Sequence, residues 1–452
     1  MATTSTAEPD ASLDDPSASP PLGVVVLAAW PLLLSILLLM VGSGLQGALL
    51  GVRAEQAGFN STVTGLVLGL YYLGYVAGST WVPGLIRSVG HIRVFSALAS
   101  VASAAVVVHG VWVSQVPWMV LRFTTGVCIA GLFIVSESWL TDVSTSKTRG
   151  SLLAVYNSVV TGGLAMGSLL LTAADVSGFV LFVVGSVALS IAAVPVALAP
   201  HDAPAPREHA PRSLREVVRS APLGMTGAAL SGFSTGAALG FGAVYATRAG
   251  FGVSGASQFV ASLLVGAVVG QIPLGRWSDR TDRRHVMATA ALLVTAGAAA
   301  GVAATTAGSF PGALAAGVLV GAGAFSLYGL SFAHVADYVD PAAMPATGAR
   351  LITFNGLAAA AGPFVASAAI GLVGPEGLFY VLAAGTGPFV AYVGLRLRRR
   401  RAVSEDRRAH YIPVATSATV AGVDELTSEV SGIEVDDLPD DELEPSGSRT
   451  GG

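Results

Sequence analysis

The sequence predicts an all-α membrane protein, with twelve transmembrane helices in two pseudo-symmetric six-helix bundles. Three observations carry that expectation. Of 452 residues, 53% are hydrophobic and only 12% charged, against roughly 25% charged in soluble domains. The apolar residues gather into twelve windows of about twenty, the length that crosses roughly 30 Å of hydrocarbon. A segment of the first half also recurs 198 residues later in the second.

The first set of windows lies near 23–45, 62–84, 92–114, 117–140, 150–174 and 178–199. The second lies near 222–246, 254–275, 286–308, 312–337, 346–371 and 375–396. The expected domains are an acidic, disordered tail over 1–22, a first bundle over 23–199, a linker over 200–221, a second bundle over 222–396 and a basic-then-acidic disordered tail over 397–452. Met1 to Leu22 holds four acids and no base, and Pro413 to Gly452 ten acids and one base, a composition that resists packing into a core. No basic n-region precedes the first apolar run, so it is expected to stay as a span rather than be cleaved as a signal peptide.

Charge sets the orientation. The loops on the side of the two termini hold 21 of the 24 Lys and Arg residues, whereas the opposite side holds Arg53 and Arg248 only. By the positive-inside bias, both termini are expected in the cytoplasm and the number of spans is even. Within the linker, His201 to Ser220 joins Pro-rich chain to a short basic amphipathic segment, expected on the membrane face. The run Arg398 to Arg401 is placed to meet anionic headgroups.

The repeated segment covers the end of the fourth span and the start of the fifth. Without a gap, Asp142 falls on Asp340, Gly150 on Gly348, Tyr156 on Phe354 and Asn157 on Asn355. Two like-oriented halves are a recurrent plan among secondary transporters, whose substrate sites lie near the bilayer midplane between the repeats.

Polar groups inside the spans are the candidate working residues, because an ionised side chain in hydrocarbon must face protein or water. Arg122 sits early in the fourth span and Glu137 near its other end. Fifteen residues at 1.5 Å each separate them by roughly 22 Å, so they do not pair directly. Arg122 can hold an anionic substrate group or act on a proton-exchanging carboxylate, the alternative being an interface arginine snorkelling outward. Glu137 can carry a proton, or join Asp142 and Arg149 in a gate. His334 falls by the repeat on Ser136, next to the Glu137 level, where a pair across the inward mouth is conceivable. Asn157, Asn355, Gln46, Tyr71, Tyr75, Gln271 and Tyr328 are the cavity-lining candidates.

Between the eighth and ninth spans stands Gly275-Arg276-Trp277-Ser278-Asp279-Arg280-Thr281-Asp282-Arg283-Arg284. It resembles the G-x-x-x-D-R-x-G-R-R loop of the major facilitator superfamily, with Asp282 in place of the second glycine. Arginines there can cap helix carbonyls or pair with carboxylates and so latch helices. In the first half the corresponding loop keeps Gly90 but has Arg87 where the superfamily has aspartate. A latch built on that aspartate is therefore absent, and an asymmetric gate leaning on Asp279 is expected. Arg122-Phe123-Thr124-Thr125-Gly126 resembles the superfamily's R-x-x-Q-G pattern, with Thr125 replacing glutamine. Asp142 and Arg149-Gly150 stand at the spacing of its E-x6-R-G motif. With Glu137-Ser138-Trp139-Leu140 between them, the stretch is similar to the YcaD-type branch of bacterial inner-membrane transporters. The G-x-x-x-G-P signature of proton-driven drug exporters is missing from the fifth span, while Gly362-Pro363 occurs in the eleventh.

No HExxH pair, GxSxG elbow or phosphate loop occurs, and one cysteine, Cys128, builds no disulfide within the chain. No cofactor, metal or nucleic-acid partner is expected, and the chain is not expected to be an enzyme. The resemblance implies a monomeric secondary transporter in the inner membrane that moves a small solute by alternating access, coupled to protons, with a slight lean to export. Alternatives are an uncoupled facilitator of the same fold and a receptor or scaffold acting through the acidic tail.

Overall fold

The computed structural model describes residues 22–142, 144, 146–198, 221–339 and 343–399. The acidic N-terminal tail, the 200–220 part of the linker and the tail beyond Arg399 lie outside the described residues, as do the side chains of Asp142 and Arg149.

Among the described residues, twelve helices are long and apolar enough to span a membrane. In chain order they are α1 (Trp30–Gln56), α2 (Ser61–Val89), α3 (His91–Val111), α4 (Gln115–Asp142), α5 (Ser146–Leu169) and α6 (Val180–Ala197), then α7 (Pro222–Arg248), α8 (Gly252–Arg280), α9 (Arg283–Thr306), α10 (Phe310–Ala336), α11 (Met344–Val373) and α12 (Gly377–Arg399). Helix starts follow local chemistry. Pro31, Pro222 and Pro311 stand in first turns, where a missing N–H costs nothing. Asn60 caps α2 by accepting from Val63 N at 2.8 Å, and Ser309 caps α10 by accepting from Gly312 N at 3.3 Å.

The expected windows and the helices agree closely except at the first. There the sequence places the span at 23–45, whereas a short helix, Leu22–Ala28, precedes α1, which runs on to Gln56. The reason is physical: backbone hydrogen bonding does not stop at the hydrocarbon edge, and α1 continues through Arg53 and Glu55 until Gly58 turns the chain with φ +74°. Its 27 residues span about 40 Å at 1.5 Å per residue, near the thickness of a bilayer with its headgroups.

Each half repeats one packing plan. In the first, α1 packs on α5, α2 on α4, α3 on α4 and α6; in the second, α7 packs on α11, α8 on α10, α9 on α10 and α12. Across the halves α2 lies against α11 and α5 against α8, two contacts exchanged by the same pseudo-symmetry, with α1 against α7. Close approach depends on small residues, as expected where lipid is as apolar as the interface and packing drives association.

Close cross-half approaches run from mid-helix, where Gly356 of α11 meets Val76 of α2, toward one face. With the start of α1 and the end of α12 defining a terminal face, Gly65 and Gly69 of α2 meet Pro363, Ser367 and Ala360 of α11, and Gly51 of α1 meets Val244 of α7, all toward the far face. At that face Arg248, ending α7, donates from Nε to Glu55 Oε2 at 2.8 Å and from Nη2 to Glu55 Oε1 at 2.9 Å. This bidentate bridge ties the ends of α1 and α7, the first helices of the two halves.

Candidate functional site

The chemistry-bearing cavity lies between the halves, about halfway along the helices. Gln46 of α1, Tyr71, Tyr72 and Tyr75 of α2 and Arg122 and Phe133 of α4 wall one side; Thr235 and Leu239 of α7 and Val260 and Leu264 of α8 wall the other. Its volume is about 110 Å³, room for several waters.

Local sequence explains why Arg122 faces inward. Gly74 of α2 and Gly126 of α4 approach so closely that a Cβ on Gly74 would strike the carbonyl of Phe123, and one on Gly126 the carbonyl of Tyr71. Two absent side chains thus let the helices touch, and the contact sets Tyr71 beside Arg122. The guanidinium carbon lies 4.5 Å from the Tyr71 ring centre. Arg122 is 6% exposed, which removes the snorkelling alternative. Its Nε has no hydrogen-bond acceptor among the described residues, and no acid lines the cavity. Gln46 Nε2, in the same walls, also lacks an acceptor. A cation–π contact is worth about 2 kcal/mol when desolvated, less than the several kcal/mol that burying a cation costs.

Glu137 stands one turn beyond Phe133 toward the terminal face. It is 1% exposed, and Tyr156 of α5 donates its hydroxyl to Glu137 Oε1 at 3.2 Å. Tyr75, a cavity wall, and Tyr328 of α10 are within its electrostatic reach. The carboxyl therefore sits at the seam of the halves, between the cavity and the terminal face.

His334 is not paired with Glu137. It lies in a second, smaller pocket with Pro222 and Leu223 of α7, Arg284 of α9 and Arg396 of α12, its ring edge-on to Tyr338 at 5.0 Å. The repeat gives the level of a residue along its helix but not the direction it faces, and α10 turns His334 away from the seam. Asn355 donates to the carbonyl of Ala228 at 2.8 Å and so ties α11 to α7. It and Asn157, Gln271 and Tyr328 are buried but are not walls of the central cavity; Gln46, Tyr71 and Tyr75 are.

At the terminal face α8 ends with Arg280 exposed and Gly275 buried, and Asp282 caps α9, accepting from Arg284 N at 3.0 Å and Arg284 Nη2 at 2.6 Å. Burial pushes the Asp282 carboxyl up, but the hydrogen bonds from Arg284 outweigh it and hold the group below the ordinary carboxylate range. Gly90 occupies the matching N-cap position before α3 with φ +94°. One half thus turns this corner with a glycine and the other with a capping aspartate. Arg283 donates to Asp337 at 2.8 Å and to Ser278 at 3.2 Å, and lies 3.7 Å from Asp279. Arg284 also reaches the carbonyl of Arg396 at 3.4 Å. These contacts clamp α8, α9, α10 and α12 to one another inside the second half. Arg87, ending α2, is exposed.

A family profile described as Major Facilitator Superfamily matches residues 32–270 and 250–417. The chain belongs to this superfamily. Among curated relatives, the protein named uncharacterized MFS-type transporter YcaD from Salmonella newport (strain SL254) is 27% identical over 356 residues, covering 78% of this chain and 91% of the relative. The protein of that name from Salmonella typhi matches to the same extent. Among solved structures, the nucleoside transporter NupG superposes with a TM-score of 0.67 at 14% identity, covering 83% of this chain and 100% of NupG. A bacterial homolog of the human lysosomal transporter Spinster, inward-facing and occupied, superposes with a TM-score of 0.66 at 17% identity over 87% of this chain and 99% of the homolog. At these identities the structures establish the fold, and the family points to a membrane transporter.

Within the superfamily fold, sequence reasoning missed Tyr72, Thr235, Leu239 and Val260 as cavity walls. It also missed the Glu55–Arg248 bridge. The signal for the bridge was present: Arg248 is one of the two bases on the far side, and Glu55 stands in the other bundle's first span end.

Proposed function

We propose that the chain is a proton-coupled secondary transporter moving a small solute across the cytoplasmic membrane by alternating access. The halves are the bundles 23–199 and 222–396, and the terminal face is cytoplasmic, as the basic loops favour. One observation carries the reading: the cavity that holds Arg122 lies at the seam of two repeat-related halves whose Glu55–Arg248 bridge lies at the far face. Rocking of one half on the other then exposes the same cavity to either side.

Glu137 is the proton carrier in this scheme. It is buried at the seam and bonded by Tyr156, and Tyr75 joins its surroundings to the cavity. Export is the favoured direction, and the working unit is a monomer in the bilayer. The Arg283–Asp337 clamp and the capped α8–α9 corner stiffen the cytoplasmic end of the second half, so that it moves as a body.

The test is flux of a metabolite and drug panel in vesicles reconstituted with the full chain, with and without an imposed pH gradient. The proposal expects gradient-driven movement of at least one solute, abolished by protonophore and by Glu137→Gln. Flux that survives both treatments supports the uncoupled facilitator instead. A function lost on deleting residues 413–452, with no flux in any condition, supports the receptor reading.

A further inference from the structure

We infer that the solute held in the central cavity is an organic monoanion, a carboxylate carried on a flat apolar body, with Arg122 as its counter-ion. The inference rests on the transporter reading and names the substrate class of the same cavity.

Three observations converge. The first is charge. Among the described residues the cavity walls contain one ionised side chain, Arg122, and no acid. The guanidinium is 6% exposed and pairs with no carboxylate among the described residues; its contact is the Tyr71 ring. A cation so placed retains most of its desolvation penalty until an anion arrives. A dianion would overcompensate a single positive charge, which restricts the class to one negative charge.

The second is donor geometry. Arg122 Nε and Gln46 Nε2 are buried donors without acceptors, on α4 and α1, and both belong to the walls of one cavity. Buried donors are nearly always satisfied, so a solute that presents acceptors to these walls is favoured. A carboxylate matches the planar fork of a guanidinium, as a point anion does not.

The third is the rest of the wall. Tyr71, Tyr72, Tyr75 and Phe133 supply ring surfaces, and Leu239, Val260 and Leu264 supply aliphatic ones from the opposite half. Aromatic and aliphatic walls stack on a flat apolar body. The first bundle thus supplies the cation and the rings, and the second covers the apolar body with aliphatic side chains.

The experiment uses the purified full chain in lipid nanodiscs at constant ionic strength. Benzoate, indole-3-acetate and octanoate are each compared with the corresponding neutral amide by thermal shift and by equilibrium binding. At least one carboxylate, with benzoate or indole-3-acetate ahead of octanoate, is expected to bind about tenfold or more tightly than its amide. Arg122→Gln is expected to erase that preference. Since loss of a buried arginine can disturb folding, Gln46→Glu supplies a second arm: it neutralises the cavity from a neighbouring helix of the same wall, and it should raise the melting temperature of the unliganded protein while abolishing carboxylate binding. Carboxylates no better than amides, or a preference that survives Gln46→Glu in folded protein, overturns the inference. Binding with the expected preference but no flux in vesicles defeats the transporter reading alone. Flux of neutral solutes with no anion preference defeats this inference alone.

Discussion

Breaking the Glu55–Arg248 bridge should open the far face. The two side chains are 17% and 27% exposed, and the pair makes two charge-assisted hydrogen bonds at 2.8 and 2.9 Å. Fully exposed pairs contribute about 0.2–1 kcal/mol, and breaking a buried pair costs about 3–5 kcal/mol; solvent screening at this exposure places the bridge near 1–2 kcal/mol. Because the partners end helices of opposite halves, the bridge exists only while the far ends are together, and its whole value biases that state. Removing it shifts the equilibrium about 5- to 30-fold toward far-side opening, at about 1.4 kcal/mol per factor of ten.

The assay uses the chain's single cysteine to advantage. In a Cys128→Ala background, Thr235→Cys places a thiol in the cavity wall, and its labelling by an impermeant reagent from the far side reports opening. Glu55→Gln and Arg248→Gln should each raise the labelling rate 5- to 30-fold, the double variant should add little, and the exchange Glu55→Arg with Arg248→Glu should restore slow labelling. Singles that label at the wild-type rate, or an exchange no better than the singles, would refute the reasoning.

Other outcomes follow from the same geometry. Gly126→Ala, whose Cβ would strike the Tyr71 carbonyl, should cost about 1–3 kcal/mol by overpacking and lower the melting temperature. Asp282→Ala removes the α9 cap and a partner of Arg284, a loss of about 1–2 kcal/mol readable by thermal unfolding. Because the Asp282 carboxyl lies below its unfolded value, its contribution is present above the ordinary carboxylate range and fades as pH falls through the depressed value. Unfolding of wild type against Asp282→Asn from pH 6 downward should therefore converge in acid. Asp337→Ala removes the nearest carboxylate from Arg283, 2% exposed, leaving Asp279 and Ser278, and should destabilise by about 2–3 kcal/mol, below the full cost of a stranded buried charge, with Asp337→Glu recovering part of it.

The sequence alone reveals the scaffold more fully than the site, for physical reasons. Hydropathy and loop charge are one-dimensional properties, so twelve spans and a common side for the termini follow from counting. The repeat then relates the halves. Site residues depend on which way a helix faces, and that is set by packing. Arg122 was legible because a charge in hydrocarbon demands a role, yet its Tyr71 contact follows from two glycines on different helices, Gly74 and Gly126, whose crossing no window displays. His334 shows the converse: the repeat places it along α10 but not among its neighbours, because pseudo-symmetry does not fix the facing of each side chain. Asp282 read as a departure from a family glycine, and its geometry shows a helix cap doing the glycine's work at the corner.

The central claim is that solute passes only if the far ends of the two halves part. Cysteines at Glu55 and Arg248 in the Cys128→Ala background, joined by a short bismaleimide, hold α1 to α7 at the far face. Quantitative cross-linking should abolish flux in reconstituted vesicles while carboxylate binding from the terminal face persists. Full flux through completely cross-linked protein would contradict the account.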